Sequence, residues 1–161
     1  MSQNKKEVAL VLERIYPATQ QELWELWATK EGFASWWGPQ GFRVEVSVLE
    51  QRPGGALVYE MIADDPACIQ AMKDAGRASS HSVRATFSVF APHRELALTS
   101  VIDFIPGVEA YESLIAVTFA PHERGARMVV QLHAMHDPHW TGMQIEGFTS
   151  QLGKLDARYA A

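Results

Sequence analysis

The sequence predicts an α+β fold built on an antiparallel sheet, and three features carry that prediction. Strand-like segments follow one another through the middle of the chain, separated by short stretches of turn residues. That is the pattern of an antiparallel meander rather than of βαβ crossovers. A long amphipathic pattern with helical spacing closes the chain after Asp137. Between the first strand and the meander, two short helical patterns end abruptly at Trp-Trp-Gly-Pro, residues 36–39.

Taken in order, Glu7 to Tyr16 forms the first strand, rich in Val, Leu and Ile and stopped by Pro17. Thr19 and Glu22 stand three apart, the spacing of a capping box, and Leu23, Leu26 and Trp27 give the following helix an apolar face. Thr29 caps a second helix from Lys30, in which Phe33, Trp36 and Trp37 fall at i, i+3 and i+4. Gly38-Pro39 ends it, because proline disfavours a helical residue before it and cannot continue the hydrogen bonding. The tryptophans are thus expected to be the buried face of a very short helix.

The segment from Phe42 alternates Phe42, Val44, Val46 and Val48 against Arg43, Glu45 and Ser47, a half-buried strand. Arg52-Pro53-Gly54-Gly55 is turn chemistry, and Ala56 to Ala63 returns as the partner strand. Four more strands follow, beginning near His81, Arg94, Ala110 and Ala126. Residues 64–80 interrupt one hairpin. There Asp65 is placed as an N-cap, Pro66 in the first turn and Gly76 as the stop of a short helix carrying Cys68, Ile69 and Met72. In the last helix Ile145, Phe148, Leu152, Leu155 and Tyr159 line one face over about five turns. Gly142, Gly147 and Gly153 each cost that helix ~1 kcal/mol against alanine, which predicts close packing or a thin wall.

At 161 residues the chain fits one domain, 1–161, able to bury roughly 70% of its unfolded surface. The net charge of −5 argues against nucleic acid as the main partner, since phosphate binding needs a basic face. One cysteine excludes an internal disulfide. With no apolar run of signal-peptide or membrane-helix length, a cytoplasmic location without membrane contact is expected.

These pieces resemble the SRPBCC superfamily, the birch-pollen-allergen-like or START-like helix-grip fold. Within it they resemble the activator-of-heat-shock-protein-90-ATPase family. The stretch from Ile15 to Phe42 carries the family's opening pattern in Pro17, Trp24, Trp36, Trp37, Gly38 and Pro39. The Arg52–Gly55 turn follows at the family's distance. Phe87 to Leu96 resembles a family strand, with Glu95 where arginine is usual, and Glu146 to Leu155 resembles its last helix, with Phe148 for tryptophan. The segment 64–80 departs from the shorter family hairpin. The resemblance implies a curved antiparallel sheet of about seven strands gripping the C-terminal helix, an internal cavity between them, and the two short helices as a V at one end. Trp36, Trp37, Tyr59, Phe104, His133 and Phe148 are the candidates for that cavity's wall.

No chemistry stands out beside this. His133, His136 and His139 have a metal-like spacing, but they cross from a strand through a loop into a helix start, and Asp137 is better used as a cap. Neither a metal nor a cofactor is expected. Cys68 reads as a packing residue rather than a nucleophile. Serine-hydrolase and phosphate-loop patterns are absent. The sequence therefore favours a protein that binds an apolar or aromatic small molecule, more than an enzyme. The family resemblance offers two alternatives. One is a co-chaperone for a heat-shock-protein-90-type ATPase, although the eukaryotic activators carry a further N-terminal domain for which this chain has no room. The other is a cavity-based cyclase, dehydratase or hydrolase. Residues 64–80 are expected to form either a lid over the open end of the cavity or the contact of a homodimer.

Overall fold

The computed structural model describes residues 8–102 and 107–160. Seven strands form one antiparallel sheet in the order β1-β7-β6-β5-β4-β3-β2. They are β1 (Val8–Tyr16), β2 (Phe42–Leu49), β3 (Ala56–Ala63), β4 (Ser80–Ala91), β5 (Glu95–Ile102), β6 (Tyr111–His122) and β7 (Gly125–His133). Helices α1 (Gln20–Ala28) and α2 (Lys30–Ala34) follow β1, α3 (Pro66–Asp74) lies between β3 and β4, and α4 (Pro138–Arg158) closes the chain. This is the curved α+β helix grip. Bulges between Val8 and Leu10, Val46 and Val48, and Phe87 and Val89 add local bend to the sheet.

The α1–α2 corner is made by one residue. Thr29 donates its N–H to the Glu25 carbonyl, closing α1, and its Oγ1 accepts the Gly32 N–H, opening α2. Thr19 caps α1 as its spacing predicts, accepting the Glu22 N–H at 3.0 Å. The Glu22 carboxylate does not complete the capping box; it accepts the Tyr159 hydroxyl at 2.6 Å and ties α1 to the end of α4. Trp36 and Trp37 fall beyond α2, not within it: the helix ends at Ala34 and both rings hang from the turn that follows. Their backbone N–H groups still bond to the Phe33 carbonyl, so the helical stripe continues without a helix.

Two other sequence expectations shift by one physical step. Val48 was expected inside, yet the bulge after Val46 turns it out to 36% exposure and brings Leu49 opposite the fully buried Leu57. The glycines of α4 do not mark close packing. A Cβ at Gly142 or Gly147 would meet nothing within 4 Å. The insertion helix forms as expected, with Asp65 accepting from the Ala67 and Cys68 N–H groups. None of its residues is buried. It docks through Cys68, whose sulfur packs so near Gly41 (φ +93) that a Cβ there would lie 2.4 Å from it.

All four tyrosines hold their protons above the usual range. Burial raises Tyr59 to about 12 against a smaller opposing effect of the Trp37 N–H. Burial and the Glu22 carboxylate raise Tyr159 to about 12. Burial and Asp156 push Tyr16 up, and burial does the same to Tyr111. Below pH 10 the folded and unfolded chains are equally protonated at these groups. Above it the unfolded tyrosines ionise first, so stability falls as pH rises from 10. Lys154, lowered by burial, acts with the opposite sign but is a single group. Tyrosinate absorbance at 295 nm should therefore reach its full amplitude only with alkaline unfolding. All four tyrosines titrating near pH 10 in the folded protein would contradict this packing.

Candidate functional site

The concave face of the sheet can be followed across the strands by register: Val46, Tyr59 and Val83 lie in one row, and Leu57, Ala85, Ser100 and Ser113 in the next. Leu10, Leu132, Ile115, Leu98 and Phe87 form a third. This face is not evenly covered. At the end near α1 and α2, Leu57, Phe87, Leu96, Val117, Met128 and Val130 are fully buried. Toward the other end Met61, Val83, Ser100, Ile102, Tyr111 and Ile115 are only half-buried. Helix α4 shows the same gradient. Phe148, Gln151, Leu152 and Leu155 are buried, whereas Trp140, Thr141, Gln144 and Ile145 are half-buried and Met143 is exposed.

The covered end is an aromatic block. Trp27 sits edge-on to Trp36 and Trp37 at 5.3 and 5.4 Å, and Phe33 stacks on Trp37 at 4.4 Å. Phe148 reaches down from α4 to Trp27, Trp36 and Trp37 within 6.2 Å. Two indole N–H groups are satisfied inside it: Trp36 donates to the Leu26 carbonyl at 2.8 Å and Trp37 to the Tyr59 hydroxyl at 3.0 Å. Four of the six wall candidates, Trp36, Trp37, Tyr59 and Phe148, thus converge, but mainly on one another. His133 is buried at the end of β7, opposite Val8. Phe104 lies outside the described residues.

The open end carries a cleft of about 490 Å³ at the β7–α4 junction, lined by Met135, His136, Asp137, Thr141, Gly142 and Ile145 among others. Its loop is pinned from both sides. The Tyr111 hydroxyl accepts the His136 N–H at 3.2 Å and meets the imidazole Nδ1 at 2.8 Å. The other ring nitrogen lies 3.5 Å from Asp137. Asp137 also caps α4, accepting the Trp140 N–H at 2.8 Å, and Thr141 accepts the Met135 N–H at 2.9 Å. The histidine series therefore does not converge, and among the described residues no group of three or more ligating side chains could hold a metal. The spacing of Tyr111 from His136 gave no signal in the sequence; only the β6–β7 pairing brings them together.

The family model described as "Activator of Hsp90 ATPase homolog 1-like protein" matches residues 17–160. The chain belongs to this family. Comparison with curated proteins finds no match. Among solved structures, the protein CV1439 from Chromobacterium violaceum is 19% identical, with 94% of this chain and 96% of that one covered and a TM-score of 0.71. The AHSA1 (SPO3351) protein from Silicibacter pomeroyi is 22% identical over 94% and 96%, also at 0.71. A protein from Arthrobacter aurescens solved by NMR is 18% identical over 91% and 83%, again at 0.71. At these identities the likeness is one of fold. No helix among the described residues is long and apolar enough to cross a membrane.

Proposed function

We propose that this family member binds an apolar or aromatic small molecule between the N-terminal half of α4 and the concave face of the sheet. The observation that carries the reading is the gradient of burial. The same face that is sealed by aromatics at one end is left half-covered at the other, beside an apolar cleft. Half-covered apolar residues on a concave surface favour an occupant, because removing such surface from water contributes about 25 cal/mol per Å². In this reading Phe148 and Tyr59 form the floor, backed by Trp36 and Trp37, and the β7–α4 cleft is the mouth.

Binding ranks above catalysis because both ring nitrogens of His136, the histidine at the mouth, face protein groups rather than the cleft. Contact with an Hsp90-type ATPase rests on the family name alone and ranks lower.

Gly142 gives a direct test, since a side chain there enters open space in the mouth. The neutral dye N-phenyl-1-naphthylamine should gain fluorescence with the wild-type protein. Gly142→Phe should weaken its affinity about tenfold or more while the melting temperature holds or rises, because glycine is the poorer helix former. Undiminished affinity in the variant would move the mouth elsewhere, and no fluorescence gain with wild type would reject the binding reading.

A further inference from the structure

On the flank of α4 that faces β2, two glutamines stand seven residues apart with a glycine between them. Gln151 is 4% exposed. Its Oε1 accepts the Gly38 N–H at 2.9 Å, which fixes the amide and leaves Nε2 buried without a partner among the described residues. Gln144 Oε1 is likewise buried and unpartnered. Seven residues span about 10 Å of helix axis, and positions i, i+3 and i+7 lie along one ridge. Gly147 is the middle of that ridge, and a Cβ there would meet nothing within 4 Å.

A buried amide atom without a partner costs stability. A helical glycine that no neighbour requires does too. Both occur together here, where the half-covered stretch of the helix, with Gln144, passes into the buried stretch, with Gln151. No buried ionised group shares the ridge. Lys154, one turn on, is committed to the Phe42 carbonyl at 2.9 Å.

We propose that Gln144, Gly147 and Gln151 are the polar recognition element of the ligand site, and that the ligand is a neutral molecule with an apolar body. Gln151 Nε2 donates to a carbonyl-type acceptor on one side of it. Gln144 Oε1 accepts from a hydroxyl or N–H on the other, and the Gly147 gap admits the body between them. This rests on the binding reading above and adds the ligand's polar pattern to it.

The test compares two probes of similar size, 6-hydroxy-2-acetylnaphthalene and 2-ethylnaphthalene, on the full chain. Wild type should hold the hydroxyketone about tenfold tighter, the value of roughly two net hydrogen bonds. Gln144→Met should cut the hydroxyketone's advantage over the hydrocarbon to about threefold, the loss of one of the two bonds. Gln151→Met should do the same, but it also strips the Gly38 N–H of its acceptor, so Gln144→Met is the deciding variant. Equal affinity of wild type for both probes would overturn the proposal and leave the apolar site standing, the amides then being served by water. So would a preference that stays at its full wild-type size in Gln144→Met. If neither probe binds, the binding reading fails and takes this proposal with it.

Discussion

Replacing Leu152 by aspartate is expected to abolish cooperative folding. Leu152 is 0% exposed and sits between Phe148 and Leu155 on the one face of α4 that the sheet covers. A carboxylate there would be buried without a cation. Its desolvation, together with the lost apolar burial, exceeds what a marginally stable domain can absorb: total stability is typically about 5–15 kcal/mol. Far-ultraviolet circular dichroism and a thermal melt decide it. A cooperative melt within a degree or two of wild type would mean that α4 does not pack through this face.

The second large effect belongs to the aromatic block. Trp36→Ala removes a ring that is 1% exposed and leaves the Leu26 carbonyl without its indole donor. Truncating a buried aromatic costs about 3–5 kcal/mol, before the orphaned carbonyl is counted. Urea unfolding should show a loss of that size. Fluorescence supplies an independent reading. Trp24, Trp27, Trp36 and Trp37 are buried, so iodide should quench only the share contributed by Trp140. Full quenching of all five tryptophans in the folded protein would contradict the block.

Much of this was legible in residue spacing. Thr19, Thr29, Asp65 and Asp137 all cap where Ser, Thr and Asp are expected to, because a cap is a local interaction between a side chain and the next three N–H groups. The strands declared themselves by alternation. What sequence could not supply were the non-local facts. Nothing before Val48 announces the bulge that turns it outward, since a bulge is set by the pairing with β3. Nor does helical spacing reveal that Trp36 and Trp37 follow the helix rather than continue it. At the site, the wall candidates Trp36, Trp37, Tyr59 and Phe148 came with the family resemblance, but their packing against one another depends on three separate segments meeting: the turn after α2, β3 and α4. The Gln144 and Gln151 amides were missed altogether. A glutamine on a helix is ordinarily solvated, and only the burial of α4 marks these two as different. The glycines beside them were noticed for their cost to the helix; of the two causes offered, close packing fails at Gly142 and Gly147, where a Cβ would meet nothing within 4 Å.

In the binding proposal, the half-covered end of the grip holds an apolar molecule. Intermolecular nuclear Overhauser effects between bound N-phenyl-1-naphthylamine and the protein's methyl groups test it most directly. Cross-peaks to Val83, Ile115 and Ile145, with none to the exposed Val11 and Val101, are the predicted result. Cross-peaks confined to Val11 and Val101, or none at all under saturating dye, would contradict it.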